Sequence, residues 1–235
     1  MTAASNRQPG AARIDVRVPA EVRALLDRAC PAAVVHTAYL QQGPAAWEVT
    51  AVGSGVVAEA ARAVGARLVH LSTDVVFDGR ARRPYTEDDP VSPLTDYGRA
   101  KAEAERLVTE ADPAAVMVRT SLIYGGPGRP PSKHEQAATD PEATFFTDEL
   151  RCPVQVDDLV AALLELCESD VAGPLHVTGP DAVSRWEFAG LVAARPVRGA
   201  ASPPGRPRDC RLDSTRAQAL LATPLRGIRT VLAPR

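Results

Sequence analysis

The chain has 235 residues, with 27 basic and 29 acidic side chains and a formal charge of −2. That length fits one domain, or one domain with a smaller lobe, and suffices to bury a core without disulfide staples. An apolar fraction of 45% excludes a disordered chain, the near-neutral balance lacks the footprint of a nucleic-acid binder, and no run reaches the ~18 apolar residues of a membrane helix.

In chain order, residues 1–12 read as a tail or linker remnant, and Met1 to Gly10 has no apolar signal core, so a cytoplasmic chain is expected. Ile14 to Val18 alternates with period two and predicts a short strand. Pro19 opens a helix to about Ala29, with Val22, Leu25 and Leu26 on one face. Ala33 to His36 predicts a buried strand, and Ala45 to Val64 a long helix that Gly65 stops. Arg67 to Ser72 reads as a strand, 77–95 as a long loop, 96–110 as a helix, and Ala115 to Arg119 as another strand. The Pro/Gly-rich stretch 125–140 reads as a loop or flap. Beyond it come a strand at 144–146, a helix at 157–168 with Asp157 as N-cap, a strand at 175–177, and helices at 184–194 and 213–221. Short apolar strands alternating with helices predict an α/β fold: a parallel sheet with helices on both faces.

Ligands of such sheets bind beyond the carboxyl ends of the strands. Those ends read His36-Thr37-Ala38-Tyr39, Ser72-Thr73-Asp74 and Arg119-Thr120-Ser121. Tyr97 and Lys101 stand at i and i+4 of the 96–110 helix, on one face. A nearby ammonium favours phenolate, so this tyrosine suits proton transfer to or from a carbonyl or alcohol oxygen. The chain has four tyrosines and only two lysines, Lys101 and Lys133, among 25 arginines, which makes the spacing informative. Thr73 is the candidate hydroxyl for the same substrate oxygen.

At these residues the chain resembles the extended short-chain dehydrogenase/reductase superfamily, and within it the dTDP-4-dehydrorhamnose reductase group. Leu71-Ser72-Thr73-Asp74-Val75-Val76-Phe77-Asp78-Gly79 is similar to that group's Ser-Thr-Asp-Tyr-Val-Phe-Asp-Gly segment. Pro84 to Asp89, Pro93 to Gly98, Val118 to Gly125, Arg206 to Asp209 and Arg211 to Thr215 extend the likeness over residues 13 to 232. The resemblance implies a Rossmann-like nucleotide-binding core, at 13–121 and 143–170, and a C-terminal substrate lobe, at 122–142 and 171–235. It implies NADP (or NAD) as cofactor, no metal, a nucleotide-sugar substrate, and a place in dTDP-rhamnose biosynthesis. Tyr97 would donate the proton, Lys101 would bind the nicotinamide ribose and tune Tyr97, and Thr73 would bind the substrate oxygen. Ala38 and Tyr39 would line the cofactor cleft, Asp15 and Val16 the adenine, and Asp74, Val75, Ser121 and Leu122 the substrate. A homodimer through helices 45–64 and 96–110 is expected; nucleic-acid and membrane partners are not.

The chain departs from that pattern in one large respect. Gly10 is the only glycine before residue 43, so no Gly-rich turn between strand and helix is there to receive a pyrophosphate. Either the chain is N-terminally shortened, or the cofactor loop is lost and a binding or regulatory role remains, as in the beta-type regulatory subunit of methionine adenosyltransferase. Poor cofactor affinity is expected in both cases. Gly125-Gly126-Pro127-Gly128 makes a poor phosphate turn, and Gly53-Ser54-Gly55 reads as a close-packing site. Val75 and Thr50 replace the group's tyrosine and asparagine, which changes the substrate's polar surroundings, and the lack of glutamate after Asp74 argues against dehydration. His36, His70 and His176 read as satisfied core or strand-end histidines, His134 as a solvated loop residue, and Trp47 and Trp186 as packing anchors. Cys30, Cys152, Cys167 and Cys210 read as reduced structural thiols.

Overall fold

Proline's fixed φ and missing N–H suit a first helical turn, and Pro19 opens α1 (Pro19–Ala29) in this way. The computed structural model describes residues 11–233. Val22 and Leu26 face the core from α1, and Cys30 ends it in the left-handed region, its N–H donating to the Leu26 carbonyl. β1 (Ala33–His36) follows. A π-helical turn at Glu48–Val52 runs into α2 (Gly53–Ala63), and Gly65, at φ +71°, stops it. β2 (Arg67–Thr73), α3 (Asp96–Ala111) and β3 (Val116–Thr120) come next.

The later elements are shorter: β4 (Ile123–Tyr124), α4 (Lys133–Thr139), β5 (Thr144–Phe146), β6 (Leu150–Arg151) and β7 (Val154–Gln155). Then follow α5 (Val156–Cys167), β8 (Gly173–His176), β9 (Val183–Ser184), α6 (Arg185–Ala193), β10 (Arg198–Ala200), α7 (Thr215–Leu220) and α8 (Ile228–Val231).

The main sheet has the order β1-β2-β3-β8. β1 pairs with β2 in parallel, His36 opposite His70. The Gly173 and Val177 amides donate to the Ala115 and Arg119 carbonyls, an advance in one direction that makes β8 parallel to β3. This is the α/β fold expected from the alternation. By contact the chain falls into two units, one of residues up to Ser72 with 96–118 and 166–174, the other of 73–95, 119–165 and 175 onward. Residues 73–95 and 143–165 thus fall in the second unit, whereas the division expected from sequence places them with the nucleotide-binding core.

In the first unit, α1, α2, α3, β2 and β3 enclose an apolar cluster that includes Val22, Leu26, Val57, Leu68, Val108 and Met117. Each such side chain, fully buried, contributes roughly 1.5–3 kcal/mol. A Cβ at Gly55 would meet Leu107 at 3.2 Å, and one at Gly53 would meet Val16 at 2.6 Å, so both glycines permit the close packing expected of them. Arg67 fastens the start of β2 by donating to the Ala114 and Val171 carbonyls. In the second unit, Leu122, Tyr124, Val183, Phe188 and Ile228 form one cluster, and Ala138, Phe145 and Ala189 another.

Several expectations fail for identifiable reasons. Residues 14–18 form a turn, with the Val18 amide on the Asp15 carbonyl, because Arg17 folds back on the Asp15 carboxylate. The 125–140 stretch is not all loop. Ser132 and Glu135 make a capping box that nucleates α4, whose first turn includes His134. Asp157 is not the N-cap of α5; the Gln155 side-chain oxygen accepts the Asp157 and Asp158 amides instead. The strand expected at 175–177 lies at 173–176, and the helix expected at 213–221 is trimmed to 215–220. Trp47 and Trp186 are 46% and 40% exposed, and Trp186 packs against Gly199 and donates to the Val197 carbonyl at 2.9 Å. The tail 1–12 lies almost wholly outside the described residues. Among the described residues, no helix is long and apolar enough to cross a membrane. No group of three or more His, Cys, Asp or Glu side chains among them is placed to hold a metal ion.

Candidate active site

In the first unit the site is built on α3. Lys101, one turn after Tyr97, is 2% exposed, and its Nζ donates to the Leu71 carbonyl at 2.8 Å. Burial pushes this ammonium down to about 8, against the opposing pull of Glu105. Tyr39 stands beside both residues, its ring 5.6 Å from that of Tyr97 and 5.7 Å from Lys101 Nζ. Thr50 fixes the segment that carries Ala38 and Tyr39, since its hydroxyl accepts the Leu40 amide at 2.9 Å and donates to the Leu40 carbonyl at 3.0 Å.

Below this group His36 and His70 lie ring against ring, 5.3 Å between centroids. Burial first, and then the Lys101 charge, pushes His36 down to about 3 and His70 well below its ordinary value, so both are neutral. His36 Nε2 meets the Ser54 hydroxyl at 3.2 Å, as a satisfied histidine should. Neither ring nitrogen of His70 has a hydrogen-bond partner among the described residues, which corrects the expectation for that residue.

Asp15 and Val16 are engaged within the protein. The Asp15 carboxylate binds Arg17 side chain and amide, which holds it at about 2, and its own amide donates to Glu21. Asp15 also lines an open cavity of about 670 Å3 with Arg13, Ile14, Glu21, Leu25 and Arg28. The Val16 side chain packs against the core cluster at Gly53.

In the second unit Thr73 and Asp74 end β2 and start a 3-10 turn, Asp74–Val76. The Thr73 hydroxyl accepts the Val75 amide at 3.4 Å and donates to Asp74 Oδ1 at 3.2 Å. Asp74 is 5% exposed; its other oxygen accepts the Ser121 hydroxyl at 2.6 Å and lies 3.4 Å from Arg151 Nε. Burial raises Asp74, while Arg151, Ser121 and Thr73 pull the other way. Arg151 also donates to the Leu150, Arg208 and Pro207 carbonyls and stands 3.7 Å from the buried Glu149, which pairs with Arg206. Leu122 packs its side chain into the Tyr124–Phe188 cluster.

Near Gly125 the Glu135 carboxylate accepts the amides of Gly125, Gly126 and Ser132 at 2.7–2.9 Å. Amides that could have cradled a phosphate therefore face a carboxylate. Cys152 and Cys210 are buried, and burial pushes Cys152 up to about 11, which fits inert thiols.

Sequence reasoning missed Arg151, Glu149 and Glu105, and read Arg206 only as part of the C-terminal resemblance. Arg151 lies in β6, a two-residue strand too short to carry a periodic signal. Glu105 had one, since it follows Lys101 by four residues on the same helix face.

The RmlD substrate binding domain family matches residues 1–234. The chain belongs to this family. It is 35% identical over 156 residues to a dTDP-4-dehydrorhamnose reductase of Sinorhizobium fredii, covering 63% of this chain and 53% of that one. It is 38% identical over 200 residues to a protein of the same name from Mycolicibacterium smegmatis, covering 78% of this chain and 61% of that one. The chain thus spans between half and two thirds of these relatives' lengths. The crystal structure of a dTDP-4-dehydrorhamnose reductase from Clostridium acetobutylicum superposes with a TM-score of 0.81 at 26% identity, over 93% of this chain and 85% of that one.

Proposed function

We propose that the chain reduces a 4-keto sugar nucleotide in the cytoplasm, with reduced NADP (or NAD), in the manner the names of its family relatives describe. The observation that carries this reading is the Tyr97–Lys101 pair on α3, with the ammonium buried at the end of β2. The cofactor, when bound, supplies a hydride to the carbonyl carbon. Tyr97 donates the proton that the carbonyl oxygen takes up, and Thr73 is assigned as a hydroxyl for the substrate. Lys101 fits the cofactor's ribose: one of its three N–H donors goes to Leu71, and two remain for sugar hydroxyls. The same ammonium favours the phenolate left on Tyr97.

Ala38 and Tyr39, with Asp15 and Val16, are assigned to the cofactor, and Asp74, Val75, Ser121 and Leu122 to the substrate. For Val16 and Leu122 the contact would come from the backbone, since their side chains pack in apolar clusters. Arg185 of the second unit meets His134 Nδ1 at 3.4 Å, and burial first and then the charge of Arg151 disfavour its own charge; a diphosphate would relieve both effects. We assign nucleotide binding to 13–121 and 143–170, substrate binding to 122–142 and 171–235, and a homodimer as the assembly.

The purified chain, given NADPH and a dTDP-4-keto sugar, is expected to consume the reduced-nicotinamide absorbance only when the sugar is present. Tight sugar-nucleotide binding with no turnover at saturating cofactor would favour a non-catalytic binding or regulatory subunit.

A further inference from the structure

An ammonium that is 2% exposed loses its proton unless something opposes the desolvation. The groups around Lys101 are His36 on β1, Tyr39 just after it, His70 on β2, and Tyr97 and Glu105 on α3. Both imidazoles are neutral and offer no counter-charge. Glu105 does: it is 7% exposed and stands one helical turn after Lys101. Its Oε1 accepts the Ser72 hydroxyl at 2.5 Å, while Lys101 binds the carbonyl of the preceding residue, Leu71. A cation and an anion at i and i+4 of α3 thus grip two consecutive residues of β2.

We propose that Glu105 is a positioning residue whose carboxylate, pinned by Ser72, keeps the Lys101 ammonium charged and fixed at the end of β2. The catalytic consequence rests on the reductase reading; the charge relation between Glu105 and Lys101 does not. Burial already brings Lys101 down to about 8 with Glu105 in place. Without that carboxylate the ammonium would be neutral for much of the physiological range, and its hold on a ribose and on the phenolate would weaken together.

The two lysines of the chain make a direct test possible. Lysine labelled with carbon-13 at Cε gives two signals in the full chain, and Lys133→Arg assigns them. The titration midpoint of Lys101 is followed in the native sequence and in Glu105→Gln, which can still accept from Ser72. The expected result is a fall of about one unit or more in Glu105→Gln, with thermal unfolding close to that of the native chain. Glu105→Asp, which keeps the charge, is expected to hold the midpoint near the native value, and it serves if the glutamine variant does not fold. An unmoved midpoint in folded Glu105→Gln, or an equal fall in Glu105→Asp, overturns the proposal. Turnover separates the two readings. A shifted Lys101 with no reductase activity leaves this proposal standing and removes the other; activity whose pH profile Glu105→Gln does not move removes this one.

Discussion

Lys101 and Arg151 are both buried cations, and the protein keeps them by opposite means. Lys101 in the first unit has one carbonyl, two neutral imidazoles beside it, and a carboxylate on the same helix. Arg151 in the second unit has three carbonyls and stands beside Asp74 and Glu149. An ammonium shifts its proton affinity readily when buried, whereas a guanidinium stays charged. The first arrangement therefore suits a group whose protonation matters, and the second suits a strut that fixes Thr73–Asp74–Ser121 in place.

Four substitutions would break or sharpen that contrast. Tyr97→Phe should cut sugar-nucleotide reduction by about 10^2 to 10^4 while the melting temperature barely moves, since only proton donation is lost; equal loss of both would make Tyr97 structural. Arg151→Met should do the reverse. It takes the guanidinium from the buried Asp74 and leaves Glu149 with Arg206 alone, and should cost about 3–5 kcal/mol in denaturant unfolding. A cost near zero would show that the strut is dispensable.

Lys101 makes a pH signature. Its folded value, about 8, lies below its unfolded value of about 10.4, so between those limits the unfolded chain binds the proton and the folded one does not. Stability contributed at this position should rise with pH across that window, by roughly 3 kcal/mol at most, and Lys101→Met should remove the rise. Chemical denaturation of both proteins at matched pH measures it; parallel profiles would mean that the ammonium is not strained by burial. The smallest effect belongs to Thr50→Val, which removes the clasp on Leu40 and should cost about 1–3 kcal/mol while raising the KM for cofactor through Tyr39. Unchanged unfolding would assign the clasp no role.

The sequence carried the strands and helices of the main sheet because each is long enough for its period to show. α3 was legible from Tyr97 to Val108, and with it the Tyr97–Lys101 spacing. The second unit was much less legible. β4, β6, β7 and β9 have two residues each, too few for any alternation to register. Arg151 and Glu149 lie in that stretch, so the network behind Thr73 was invisible. Residues 14–18 misled because Arg17 alternates in sequence yet folds onto Asp15 in space. Gly125 and Gly126 read as a poor phosphate turn from Pro127 and the polar run after it; that Glu135 accepts their amides is a long-range feature with no sequence signal.

The claim on which the account stands is that the Lys101 ammonium tunes the Tyr97 phenol for proton transfer. An ultraviolet difference titration of the native chain, Tyr97→Phe and Lys101→Met tests it without substrate. A phenolate signal below the ordinary tyrosine range of about 10 is expected in the native chain, absent in Tyr97→Phe and moved upward in Lys101→Met. The same phenolate titration in all three proteins would contradict it.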